Sequence, residues 1–270
     1  INNVMEQIPN TPQVPKIQEE TYQYPTEDVT LPSKGLLYPD GHPLRSGVIK
    51  MKYMTAREED ILTNQNYIKN GTVINKLLQS LIVTPVNYND LLIGDKNAIL
   101  IAARILGYGS DYTFTYTNPK TGDSEEITID LTELDDKELD ESLMIEKRNE
   151  FAFTLPTSKV EITFKFLTHG DEEKIQKELK GLKKINKQSS SELTTRLKHT
   201  LLSVNGDRDM KEIREFVDYK FLARDSKAFR NYLSKIMPDI DMSVDIDFEN
   251  GDTIEDVNIP LGVSFFWPDA

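Results

Sequence analysis

At Asp111 the hydrophobic period of the chain changes from helical to two. Upstream, Val73, Ile74, Leu77, Leu78, Leu81 and Ile82 fall on one helical face. Leu91, Leu92, Ala98, Ile99, Ala102 and Ile105 or Leu106 fall on another. Pro85 separates these two runs, and Gly107 and Gly109 end the second. Downstream, Tyr112, Phe114 and Tyr116 alternate with Thr113, Thr115 and Thr117. The turn Asn118-Pro119-Lys120-Thr121-Gly122 and the alternating stretch Glu126 to Leu131 complete a β-hairpin pattern. Long helical runs feeding short hairpins exclude a regular βαβ alternation. The expected class is α+β, with helical clusters, antiparallel β-hairpins and no parallel sheet.

The same order recurs in the second half. A hairpin is expected over Phe151–Leu155 and Val160–Phe166, then a long helix from His169 or Asp171 with lysines near its end. Further helices start at Ser190 or Ser191, at Asp209 and at Ser226, the second of the four carrying Leu193, Leu197, Leu201 and Leu202. A final hairpin spans Val244–Phe248 and Ile254–Ile259. Near the start, Val48–Tyr53 reads as a strand. Thr55 with Glu58 forms a capping box for a helix to about Asn64. Residues 1–30, with Pro9, Pro12, Pro15 and Pro25, read as an extended arm, since proline fixes φ and removes a donor. Such an apolar-poor arm is a tail unless a partner holds it. The expected division is arm 1–30, an α+β domain 31–168, and a helical domain 169–270 ending in a hairpin.

Composition removes several functions. The net charge is -13, which disfavours phosphate backbones and hence general nucleic-acid binding. There are no cysteines, so disulfides, thiolate metal sites and a Cys nucleophile are excluded. No stretch approaches the ~18 apolar residues of a membrane span, and no signal peptide is visible. His42, His169 and His199 lie far apart and read as surface or loop residues. No nucleophile elbow or phosphate loop occurs. Asp245, Asp247, Glu249 and Asp256 mimic an EF-hand count, but Asn250 stands where glycine is required, and Val244, Ile246 and Phe248 demand a strand. The acids from Glu133 to Glu141 read as a solvated face. No catalytic set, cofactor site or metal site is expected. Phe265-Phe266-Trp267 serves either a core or an interface.

Three segments carry more information together than apart: Leu31-Pro32-Ser33-Lys34-Gly35-Leu36-Leu37-Tyr38, Met54–Leu62, and Leu91-Leu92-Ile93-Gly94-Asp95 leading through Arg104 to Tyr108-Gly109. With the closing stretch Ile259–Pro268, their order and spacing resemble the baseplate hub and hub-assembly proteins of T4-like phages. Some of that family carry Cys-containing turns in the hairpins. Here Asn118–Gly122 and Glu249-Asn250-Gly251-Asp252 stand instead, so no metal role carries over.

The resemblance implies a non-enzymatic structural part of a contractile phage tail baseplate, in the hub region of the virion, made and assembled in the host cytoplasm. Its partners would be other hub, tail-tube or tape-measure chains in a multi-chain assembly, with no nucleic acid and no membrane span. One alternative is a transient hub-assembly chaperone absent from the mature particle; a cell-wall hydrolase is a third reading. The contact residues expected on the structural reading are Pro12, Pro15, Tyr22 and Tyr24 in the arm, Leu31, Pro32 and Tyr38 after it, and Phe265, Phe266 and Trp267 at the end.

Overall fold

The computed structural model describes residues 24–185 and 191–266, so most of the expected arm lies outside the described residues. The arm expected over 1–30 overruns into a strand at its end. Strand β1 (Thr26–Thr30) pairs antiparallel with β2 (Val48–Lys52). Helix α1 (Ala56–Leu62) starts at the expected capping box. Helix α2 (Gln65–Lys69) was not legible; Asn64 caps it by accepting from the backbone N–H groups of Asn66 and Tyr67. Helix α3 (Val73–Leu81) follows the apolar spacing. Asn87 caps a single 3-10 turn, Tyr88–Asp90. Helix α4 (Ile93–Tyr108) therefore begins later than a cap at Asn89 or Asp90 would give.

The hairpin at the change of period forms in register as β3 (Asp111–Thr117) and β4 (Ser124–Asp130). The acidic segment after it contains a short strand, β5 (Asp136–Lys137). Strands β6 (Phe151–Thr154) and β7 (Glu161–Phe164) make the second hairpin. Helices α5 (His169–Ile185) and α6 (Glu192–Thr200) follow. The helical spacing of Leu193 and Leu197 does not continue. Leu201–Val204 is strand β8, which pairs with β7 to complete a three-stranded sheet. Leu201 and Ser203 are buried and their neighbours half-buried, the two-residue period of a strand.

Helix α7 (Met210–Glu215) is capped by Asp209 and runs into one π turn, Phe216–Lys220. Helix α8 (Ala223–Ile236) leads to β9 (Asp239–Ile240), which pairs with β5. The last hairpin is β10 (Ser243–Asp247) with β11 (Thr253–Asn258). Every strand pair among the described residues is antiparallel, and the class is α+β as expected.

One hydrophobic cluster runs from Leu31 to Phe266. It includes the stacked and edge-on rings of Phe151, Phe164, Phe166 and Phe229. The sheet β6-β7-β8 draws strands from both sides of the boundary expected at residue 168. The two outer hairpins touch at their tips, where the Asn118 amide donates to the Asp252 carboxylate at 3.3 Å and Tyr116 lies beside Phe248.

Candidate interaction site

The segments singled out in the sequence meet inside the fold, and buried polar groups tie them together. In the first turn of α4, Asp95 is 1% exposed. It accepts from the Ser33 backbone N–H at 3.0 Å, the Ser33 hydroxyl at 2.7 Å and the Tyr38 hydroxyl at 2.7 Å. Tyr38 Oη in turn accepts from the Leu92 N–H at 3.1 Å. The Leu31–Tyr38 turn is thereby pinned to the start of α4. Burial pushes the Asp95 carboxyl above its ordinary value, against the lowering effect of the Ser33 and Tyr38 bonds. Burial also pushes the Tyr38 phenol up, with the Asp95 charge adding to it.

Two glycines make this packing possible. Gly35 has φ +75°, and a Cβ there would sit 2.5 Å from the carbonyls of Leu44 and Arg45. A Cβ on Gly94 would sit 1.9 Å from the Pro238 carbonyl, so only glycine lets α4 meet the chain entering β9.

The second segment is held by Glu58, which is fully buried. It takes the Lys52 ammonium at 2.8 Å, the Ser80 hydroxyl at 2.8 Å and the Thr55 hydroxyl at 2.6 Å. Burial pushes its carboxyl up, but the Lys52, Thr55 and Ser80 bonds outweigh that and hold it at about 2. The third and last segments are joined by Arg104. Its guanidinium donates to the backbone carbonyls of Phe265 at 3.0 Å, Gly109 at 2.9 Å and Asp111 at 3.0 Å. It also lies over the rings of Tyr108 and Tyr112.

Of the contact residues expected from the sequence, Leu31, Pro32, Tyr38, Phe265 and Phe266 are buried in this chain's own core. Phe265 packs edge-on against Tyr112 and Phe266. Tyr24 is 43% exposed, with the Lys52 ammonium 4.9 Å from its ring centre. Pro12, Pro15, Tyr22 and Trp267 lie outside the described residues. His42 is a loop residue, as expected, while His169 and His199 lie in helices and depart from the surface or loop reading. His42 caps the Pro43–Ser46 turn and stacks on Tyr38. His169 is 4% exposed, with Tyr88 edge-on. His199 Nε2 is 2.9 Å from Glu178.

What faces outward is charged. A cleft of about 1120 Å³ opens between α5 and the turn joining α2 to α3. Asn70, Thr72 and Asn75 form one wall, Lys177, Lys180 and Lys184 the other, with Lys96 and His169 between them. Lys96 Nζ lies 3.4 Å from His169 Nδ1. Burial holds the Lys96 ammonium below its ordinary value. Burial also lowers the His169 imidazole, and the Lys96 charge acts the same way. Nothing local in the sequence of α5 signals that α4 places Lys96 beside it.

Among the described residues, no group of three or more His, Asp or Glu side chains is placed to hold a metal ion. No helix among them is long and apolar enough to cross a membrane. The carboxylates of Asp95 and Glu58 are each closed in by several donors inside the fold, an arrangement that holds segments together. No curated protein and no solved structure matches the chain. The family model described as T4 bacteriophage base plate protein matches residues 24–267, which span the whole described fold, the first three segments above and the closing stretch as far as Trp267. The chain belongs to that T4-type baseplate family.

Proposed function

We propose that this baseplate protein is a structural part of the hub region of a contractile tail, retained in the virion and working through protein–protein contacts. The observation that carries the reading is the place of the matched segments. Ser33, Glu58, Asp95 and Arg104 are all spent on ties between separate segments of one chain, Glu58 through Ser80. Such residues preserve a shape, and shape is what a baseplate part contributes to its neighbours. On this reading the chain is no enzyme and uses no cofactor or metal. Its partners are hub, tail-tube or tape-measure chains, and the net charge of -13 argues against nucleic acid. The Pro-rich arm, with Pro12, Pro15, Tyr22 and Tyr24, extends along a neighbour.

The test is quantitative mass spectrometry of purified phage particles, normalised to a tail protein of known copy number. A small fixed number of copies is expected. Abundance in infected-cell lysate with none in particles would overturn retention and make the chain a transient hub-assembly factor. Lysis zones in a peptidoglycan zymogram with the purified protein would overturn the non-enzymatic reading.

A further inference from the structure

The lysine cleft and the acidic segment 133–141 are two strongly charged surfaces that the ties above leave unused. After Ile175 no residue of α5 is buried. Lys177, Lys180 and Lys184 follow a three- and four-residue spacing, so they share one helix face. Of the α5 lysines, Lys174 alone among the described residues reaches a carboxylate, Asp171 at 3.9 Å. The cleft's own acids, Glu172 and Glu173, have other partners than the α5 lysines. Glu172 pairs with Arg196, and Glu173 lies 3.5 Å from His169. Lys96, half-buried at the floor, has His169 as its polar neighbour and no ion pair among the described residues. A chain with a large negative excess thus gathers four ammonium groups that form no ion pair among the described residues, with Glu172 and Glu173 in the same cleft favouring the charged form of Lys96.

The opposite surface lies on the same molecule. Glu133, Asp135, Asp136, Glu138, Asp140 and Glu141 are all exposed. Lys34 takes Glu138 at 2.7 Å, and Lys137 is 3.9 Å from Asp241. The rest have no ion pair among the described residues. The Asp136 carboxyl is pushed up by burial and by the neighbouring Glu138 and Asp135 charges, while Lys34 pulls the other way. A further cation would relieve that crowding.

The two surfaces do not meet within one chain. The acidic segment is fixed by the β5–β9 pairing, and the Asn97 amide on α4 holds Asp239 of β9 at 3.0 Å. The next residue back, Lys96, faces α5. Consecutive helix positions diverge by about 100°. No hydrogen bond or ion pair joins segment 133–141 to the cleft among the described residues. The lengths agree: Lys177 to Lys184 spans about 10 Å of helix, which matches about three extended residues such as Asp135 to Glu138.

We infer that this chain associates with a second copy of itself head to tail, the acidic segment 133–141 of one copy seated in the lysine cleft of the next. The contact is heterologous, so it closes into a ring or extends into a row. It stands apart from the hub reading, because it concerns the purified protein alone.

Sedimentation velocity of the full chain tests it. At about 50 mM salt and about 100 µM protein, oligomers are expected that dissociate at about 500 mM salt, where the screening length is short. Lys177→Glu/Lys180→Glu/Lys184→Glu and Glu133→Lys/Asp135→Lys/Glu141→Lys should each be monomeric. Their equimolar mixture should regain association, since each supplies the charge the other has lost. Lys120→Glu/Lys211→Glu/Lys227→Glu, with the same charge change elsewhere, should still associate. A wild-type monomer at low salt overturns the inference. So does oligomerisation that ignores the cleft reversal, or that is lost equally in the control. Thermal melts matching wild type exclude misfolding of these surface variants. Association of the wild type only on adding polyphosphate or an oligonucleotide would assign the cleft to a phosphate polymer and also overturn it.

Discussion

Helices α4 and α5 are nearly equal in length, at 16 and 17 residues, yet they are used in opposite ways. α4 buries seven residues along its length, from Gly94 to Arg104, including the charged Asp95 and Arg104. α5 buries three, His169, Asp171 and Ile175, all near its start. A helix enclosed on most sides by its own chain has no face left for a partner. A helix anchored at one end, with charge along the rest, has most of its surface free. In this baseplate protein the buried polar residues of α4 therefore build the frame, and the lysines of α5 carry the outward contact.

Variants of α4 should show the largest effects. Arg104→Ala removes the donor to three backbone carbonyls and is expected to cost about 3 kcal/mol or more, as buried acceptors are left unmet. A urea denaturation midpoint would show it. A loss near zero would mean that the C-terminal stretch is held by packing alone. Asp95→Ala is expected to cost about 1–3 kcal/mol, because Ser33 and Tyr38 lose their acceptor. Asp95→Asn keeps one acceptor and should cost less in the same assay.

The two buried carboxylates sharpen the comparison, since their environments act in opposite directions. Glu58 titrates near 4.5 in the unfolded chain and about 2 in the folded one. Its contribution is full above the unfolded value and fades as pH falls towards about 2. The stability advantage of wild type over Glu58→Gln should therefore shrink as pH falls through that window. Asp95 is raised above its ordinary 3.8, so the folded state holds that proton more tightly. Wild type should lose ground against Asp95→Asn as pH rises through the folded value. Urea midpoints across a pH series would show the two opposite slopes; parallel slopes would contradict the assigned environments.

The smallest effect is expected on α5. Lys177→Ala, Lys180→Ala and Lys184→Ala should each change stability by no more than about 0.5 kcal/mol, while weakening salt-sensitive association. A large stability loss from any of them would make α5 part of the frame and erase the contrast with α4.

Much of the frame was legible because the sequence signals were local. The alternation from Tyr112 to Tyr116 set β3, the Thr55–Glu58 box started α1, and the lysines near residue 183 fell at the end of α5. Signals that needed a distant partner failed. Leu201 and Leu202 continue a helical spacing, and only pairing with β7 turns them into a strand. Two residues of β5 mean little until β9 lies beside them. The end segments read as contact surfaces because aromatics serve cores and interfaces alike. Phe265 and Phe266 go to the core because Arg104 draws the Phe265 carbonyl inward. Lys96 and Lys180 belong to distant helices, so no local spacing could announce their cleft.

Lysine-to-carboxylate cross-linking of the purified protein at low salt, read by mass spectrometry, tests most directly whether α5 is the outward contact of this chain. Links from Lys177, Lys180 or Lys184 to segment 133–141 are expected to form between differently isotope-labelled copies of the chain. Links from those lysines confined to a single copy, with α5 shielded by no neighbour, would contradict that expectation.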